Sequence, residues 1–174
     1  MQSISRRIDA AVALLNPQPD EELLEIGCGT GQAILAATMR APGARITAID
    51  RSEKAVARAR VVNQAAINAG RVRISTRDIE KQPVSPGSFD RAFSIRVNTF
   101  WTRPGVALPH VAASLHAGGQ LWMIYDGPAE KVVDPIVASL DAYGIQDIRT
   151  ETTEGAYAII ASFPPGIDHA PASR

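Results

Sequence analysis

The chain has 174 residues, 45% of them hydrophobic and 21% charged, with one cysteine, three histidines, and 18 basic side chains against 18 acidic ones. That length makes one domain of ordinary size, able to bury a core without a metal or disulfide staple. Zero net charge argues against a dedicated nucleic-acid module, which attracts phosphates through a basic excess. A single cysteine excludes an intrachain disulfide and a thiolate zinc cluster, the three histidines are too scattered for a metal site, and no apolar run approaches the roughly 18 residues of a membrane span.

Ile4, Ile8, Val12 and Leu15 recur at helical spacing, which predicts an amphipathic helix over residues 3–15. Ser5-Arg6-Arg7 ahead of small apolar residues imitates a twin-arginine export signal. Asp9 interrupts the apolar stretch, however, and Asn16-Pro17 ends it without a small-residue cleavage site, so the expected location is cytoplasmic. Residues 23–26 read as a first strand running into Gly27-Cys28-Gly29-Thr30-Gly31. Ile34, Leu35, Thr38 and Met39 then mark a short helix closed by Ala41-Pro42-Gly43. A second strand over residues 45–49 stops at Asp50. Ser52 is placed to cap one long helix that carries Val56, Ala59, Val62 and Ala66 inward and ends at Gly70.

Strands three, four and five are expected over residues 72–75, 92–95 and 120–125. Between the last two, Leu108, Val111 and Leu115 share a helix face, with Pro109 in the first turn, where its missing N–H costs little. The helix after Pro128 carries Val132, Val133, Ile136, Val137 and Leu140, with Gly144 as its left-handed stop. Residues 146–150 and 157–163 flank Glu154-Gly155 as a hairpin. Residues 1–163 therefore form a single domain, and residues 164–174 a disordered tail. Strand alternating with helix predicts an α/β fold: a doubly wound, mostly parallel seven-stranded sheet with helices on both faces and the last strand antiparallel.

In such a sheet the ligand sits at the carboxyl ends of the strands, where the winding reverses. The first strand–helix turn there holds Glu25-Ile26-Gly27-Cys28-Gly29-Thr30-Gly31-Gln32. Its alternating glycines allow a sharp turn and let a ligand approach backbone with no Cβ in the way. Asp50 follows at the spacing of an acid that hydrogen-bonds a ribose, at the end of the second strand and facing the same edge. The dinucleotide fingerprint wants a third glycine where Gln32 stands.

The pattern Gly-x-Gly-x-Gly, preceded two residues earlier by Glu25, resembles motif I of the class I S-adenosylmethionine-dependent methyltransferases, a resemblance running from about Pro19 to Phe163. It implies that Glu25, Gly27, Cys28, Gly29, Thr30 and Gly31 cradle the methionyl and ribose parts of S-adenosyl-L-methionine and that Asp50 takes both ribose hydroxyls. It further implies that Arg51 lies beside the adenine, Asp78 near the adenine amino group with Ile79 on the ring, and Ile95 and Arg96 at the cofactor. Gly87-Ser88-Phe89-Asp90 resembles the family's turn into strand four, and Gly118-Gly119 the turn before strand five.

Asn98-Thr99-Phe100-Trp101 imitates the Asn-Pro-Pro-aromatic motif of nucleic-acid and protein amino-methyltransferases. It lacks both prolines and lies too far from Asp90, so that motif's catalytic role is not carried onto Asn98. The loop fits the small-molecule branch instead, although Arg96 stands where an uncharged residue is usual. Arg96 reads either as an exposed loop arginine or as a group at the cofactor carboxylate or an anionic substrate. Phe100 and Trp101 read as packing residues or as substrate walls, and Arg96, Asn98, Trp101 and Tyr125 are the substrate-side candidates.

A sulfonium methyl is already activated, so the protein's task is alignment and exclusion of water, and no fixed catalytic residue is expected. Tyr125 and Asp126 are candidate bases, and Cys28 is a small loop residue rather than a nucleophile. With no inserted acceptor segment in the chain, the N-terminal helix and the loop from Arg96 to Arg103 are expected to shape the acceptor pocket. Either the acceptor is small, or a second chain, identical or different, completes the site. No nucleic-acid or membrane partner is expected. A non-catalytic cofactor-binding subunit and a nicotinamide-dependent oxidoreductase remain as alternatives, the latter opposed by Gln32.

Overall fold

Leu23 and Leu24 of β1 (Glu22–Ile26) are fully buried because parallel strands lie on either side and helices cover both faces. In the computed structural model, which describes residues 4–164, the elements that follow α1 (Arg6–Leu15) and β1 are α2 (Gln32–Arg40), β2 (Arg45–Asp50), α3 (Glu53–Val62), α4 (Gln64–Asn68), β3 (Val72–Thr76), β4 (Phe89–Ile95), α5 (Thr99–Thr102), α6 (Leu108–Ser114), β5 (Leu115–Tyr125), α7 (Glu130–Ala142), β6 (Ile148–Thr153) and β7 (Ala156–Ser162). The sheet order is β3-β2-β1-β4-β5-β7-β6, and β7 runs antiparallel to both its neighbours. The winding reverses between β1 and β4, so the carboxyl ends of those two strands define the crevice.

Two apolar layers sandwich the sheet. On one face Val12, Leu15, Ile34, Val56 and Ala59 pack onto Leu23, Ile46, Ala48, Phe93 and Ile124. On the other, Phe100, Leu108, Val111, Ile136 and Leu140 pack onto Leu24, Ile49, Leu121 and Met123. Arg91 of β4 ties the end of α1 to the sheet. Its buried guanidinium donates to the Glu21 carboxylate, at 2.7 Å from Nε, and to the carbonyls of Leu15 (2.7 Å) and Asn16 (3.3 Å), while lying 5.2 Å from the centre of the Trp122 ring. Among the described residues no helix is long and apolar enough to cross a membrane.

The expected strand–helix alternation is observed, with four corrections. The helix predicted from Ser52 to Gly70 is two helices, because Asn63 breaks it: its side chain bonds backbone carbonyls. Leu115 belongs to β5 rather than to the preceding helix. Gly118 and Gly119 lie in an irregularity inside β5, between the pairs Phe89–Leu115 and Arg91–Gln120, where Gly118 adopts φ 82°. Met39, counted among the marks of α2, is 64% exposed. One short helix, α5, was not anticipated. The tail expected to be disordered lies, from residue 165 onward, outside the described residues.

Candidate functional site

The loop between β1 and α2 is built by positive-φ glycines: Gly27 at 75°, Gly29 at 52° and Gly31 at 81°. The amides of Gly27 and Cys28 donate to the Ile49 carbonyl at 2.8 and 3.0 Å, which fastens the loop to the end of β2. Gly31 opens α2 where a side chain would not fit: a Cβ there would come within 2.5 Å of Asn63 Nδ2 and 2.9 Å of Ala59 Cβ. At Gly29, by contrast, an added Cβ would meet nothing described within 4 Å, so this backbone is open to a ligand.

Asp50 closes the other side. Its Oδ2 accepts from the Gly29 amide at 2.9 Å and its Oδ1 from the Ser52 amide at 2.9 Å. Ser52, not Asp50, caps α3, its hydroxyl accepting from the Ala55 amide. An ionised carboxylate offers about four lone-pair directions, so Asp50 retains acceptor capacity for hydroxyls while bracing the glycine loop.

Glu25 lies beneath this arrangement and does not line the cleft. It is buried, and Oε2 has no hydrogen-bond partner among the described residues. Burial, reinforced by the Asp50 carboxylate, pushes its pKa from 4.5 up to about 8. Cys28 is also buried, and burial followed by the Glu25 and Asp50 charges pushes its thiol well up, which makes it an inert packing residue.

The cleft has a volume of about 600 Å³, within the range of roughly 300–1,000 Å³ common for small-molecule sites. Gly27, Asp50, Arg51, Asp78, Ile79, Ile95, Arg96 and Asn98 all line it, so the structure brings these sequence-selected residues together. Asp78 turns its Oδ1 to the Glu80 amide, and Ile79 is buried beside it. Arg96 adopts φ 57°, and its guanidinium lies 3.9 Å from Asp126, which also pairs with Arg7 of α1 at 3.4 Å. Thr30 is exposed on the loop outside the cleft lining.

Trp101 and Tyr125 do not line the cleft. Trp101 packs against the apolar layer beneath α5 and α7. The Tyr125 hydroxyl donates to the Val97 carbonyl at 3.1 Å, and burial pushes its pKa up, so it serves as a brace for the β4–α5 loop rather than as a base. Asp126 is half-exposed and already shared by two arginines.

Three contributors had no sequence signal. Glu80 accepts from the Thr99 hydroxyl and pairs with Arg103, holding α5 against the cleft wall. Asn63 pins the carbonyl of Gly31. Arg77 joins the lining from the loop after β3. None is spaced in sequence from its partner in a way that periodicity could expose.

Residues 24–123 match the family described as the methyltransferase domain. An O-methyltransferase of Pyrenophora dematioidea is 29% identical over 107 residues, covering 62% of this chain and 40% of that protein. The ubiquinone/menaquinone biosynthesis C-methyltransferase UbiE of Paracoccus denitrificans is 34% identical over 113 residues, covering 63% of this chain and 44% of that protein. The chain thus spans less than half the length of the curated relatives it matches. Among solved structures, a SAM-dependent O-methyltransferase from Thermotoga maritima superimposes with a TM-score of 0.73 at 16% identity, over 97% of this chain and 69% of that one. The 4+2 cyclase SpnF gives 0.71 at 19% identity, over 92% and 80%. At such identities the likeness is one of fold.

Proposed function

Because the chain belongs to the methyltransferase domain family, matched over residues 24–123, we propose that it transfers a methyl group from S-adenosyl-L-methionine to a small-molecule acceptor. The observation that carries this reading is Asp50, set between the open Gly29 backbone and the cleft with acceptor capacity to spare. The residues present fit the cofactor. Asp50 would take the ribose hydroxyls, and Asp78 and Ile79 would flank the adenine. The backbone of Gly27, the one residue of the glycine loop that lines the cleft, would lie along the methionyl part, with Gly29 next to it outside the lining. The bound sulfonium supplies a methyl group already activated toward displacement by a nucleophile.

The chain's own work is then to bind, orient and exclude water. Arg96 and Asn98 stand on the loop after β4, on the acceptor side of the cleft, with α5 held against it by Glu80. Asp126 is held by Arg7 and Arg96 outside the residues that line the cleft, so its part is to orient Arg96 rather than to take a proton from the acceptor. The relatives' names include both an O- and a C-methyltransferase, so the acceptor atom is left open. The balanced charge of the chain and the lack of an Asn-Pro-Pro-aromatic motif favour a metabolite over a nucleic acid.

A second reading, a cofactor-binding chain that catalyses no methyl transfer itself, is favoured by the commitment of the Tyr125 hydroxyl to Val97. Calorimetry with S-adenosylhomocysteine and NADH, followed by labelled methyl transfer against a metabolite panel, separates the readings. Affinity for S-adenosylhomocysteine in the micromolar range, about −7 to −9 kcal/mol, together with a labelled product supports the first. Binding without any product on the panel supports the second, and NADH binding alone overturns both.

A further inference from the structure

The sheet is covered unevenly. On one face of β2 and β3, Ile46, Ala48, Val72 and Ile74 are buried beneath helices. On the other face the register Thr47–Arg73 puts Arg45, Thr47, Arg71 and Arg73 side by side at the amino-terminal end of the strands. The crossover from β3 to β4 passes through residues 77–88 without a helix, so among the described residues no helix covers this corner. A parallel sheet is ordinarily apolar on both faces. Here the uncovered strands carry arginines around a depression of about 370 Å³.

The charges in this depression are unbalanced. Glu22 is committed to Arg45, Nη1 to Oε1 at 3.0 Å. Arg71 and Arg73 have no ion-pair partner among the described residues, and Nη1 of Arg71 is buried with no hydrogen-bond acceptor. A buried guanidinium N–H without an acceptor is costly, and in native proteins such a group calls for an explanation. A water molecule does not reach that nitrogen, so an anion in the depression would meet the other guanidinium donors of Arg71, which have no partner among the described residues, together with those of Arg73.

We infer that Arg71 and Arg73, with Arg45 and Thr47 at the rim, form a binding site for a phosphate-type dianion on the bare face of β2 and β3. Two unpaired guanidiniums match two negative charges, and their forked donors suit the tetrahedral oxygens of a phosphate better than a single ammonium would. The depression has room for the first atoms of an ester beyond the phosphate itself. It opens at the amino ends of the strands, whereas Asp50 and Asp78 mark the cofactor cleft at their carboxyl ends, so the two sites are separate.

The test is calorimetry and thermal denaturation of the full chain, at matched ionic strength in a buffer free of phosphate, with inorganic phosphate, glycerol 3-phosphate and acetate as probes. Saturable binding of one or both phosphates is expected below about 10 mM, with acetate at least about tenfold weaker. Arg73→Ala, at an exposed position, should weaken phosphate binding about tenfold or more while leaving S-adenosylhomocysteine affinity unchanged. Arg71→Met should do the same and, by removing the orphaned nitrogen, should not lower the melting temperature. Tighter binding of glycerol 3-phosphate than of inorganic phosphate identifies an ester-borne ligand, and the reverse a free phosphate. If Arg71→Met does not fold, Arg73→Ala decides alone. Absence of saturable phosphate binding, or binding that Arg73→Ala leaves intact, overturns the proposal.

Discussion

Asn63 Nδ2 donates to the carbonyl oxygen of Gly31 at 3.0 Å and to that of Ala59 at 2.9 Å, joining the α3–α4 break to the end of the glycine loop. The side chain is buried, so neither acceptor has solvent as a substitute partner. Each carbonyl keeps a backbone donor, the Leu35 amide at 3.2 Å for Gly31 and the Asn63 amide at 3.0 Å for Ala59. Asn63→Ala should therefore cost about 0.5–1.5 kcal/mol for each side-chain bond lost and not the full penalty of an orphaned carbonyl. Asn63→Asp should cost more, since a carboxylate there would face two carbonyl oxygens with nothing to donate. Urea denaturation measures both. Calorimetry should also show weaker S-adenosylhomocysteine binding in Asn63→Ala, and unchanged affinity would mean that the loop keeps its shape without this tether.

Two glycines of the same loop should fail in different ways. At Gly31 an added Cβ meets Asn63 Nδ2 at 2.5 Å, Ala59 Cβ at 2.9 Å and Ala59 Cα at 3.0 Å, and backbone cannot swing aside as a long side chain can. Gly31→Ala should lose roughly 2–4 kcal/mol from the clash added to left-handed strain. Gly29→Ala meets open space and carries only the strain of φ 52°, about 1–2 kcal/mol. On the proposed reading, in which the methionyl part of the cofactor lies along this loop, the new methyl would obstruct the ligand, and most cofactor binding should be lost. Denaturation midpoints and calorimetry on the two variants give opposite rankings if this account is right, and the same ranking if it is not.

The strand–loop–helix order and the place of the cleft were legible because they follow from local signals. Glycine is the favoured residue where φ is positive, and an acid at the carboxyl end of a strand beside the switch point stands at the crevice. The helix break at Asn63 was hidden because the apolar rhythm of Val56, Ala59, Val62 and Ala66 continues straight through it. The latch from Glu80 to Thr99 and Arg103 joins segments about 20 residues apart and leaves no periodic trace. Trp101 and Tyr125 were drawn toward the substrate because their positions lie near strand ends. A local reading of the sequence does not tell a ring that faces a cleft from one that packs beneath it.

Asp50 serves two sets of partners, and its variants should separate them. Asp50→Ala removes the acceptor for the Gly29 and Ser52 amides as well as any ribose contact. Affinity for S-adenosylhomocysteine should fall about 10- to 1000-fold, at roughly 1.5–3 kcal/mol for each charge-assisted bond and with water replacing one partner. Apo stability should fall by about 1–2 kcal/mol. Asp50→Asn keeps one carbonyl acceptor and should retain more apo stability than binding. Variants that lose stability while binding S-adenosylhomocysteine as tightly as the parent would reduce Asp50 to a loop brace.

Glu25 should give the protein an unusual pH profile. Its pKa is raised from 4.5 to about 8 by burial first and by the Asp50 carboxylate second. The folded chain therefore holds a proton that the unfolded chain releases above its ordinary pKa. The sign follows from linkage: this group costs nothing below about 4.5, and its cost grows as pH rises toward 8, at up to about 1.4 kcal/mol per pH unit. Glu25→Gln removes the titration while keeping the shape. The variant should match the parent near pH 4.5 and exceed it increasingly toward pH 8, by a few kcal/mol at most, on the order of the linkage limit. Asp50→Asn removes the second cause and lowers the folded-state pKa, so the decline should still begin near pH 4.5, where the unfolded chain titrates, but end at a lower pH with a smaller total cost. Stability curves by urea denaturation across this range decide the matter. Parallel curves for the parent and Glu25→Gln would show that Glu25 is ionised in the folded chain, with a partner for Oε2.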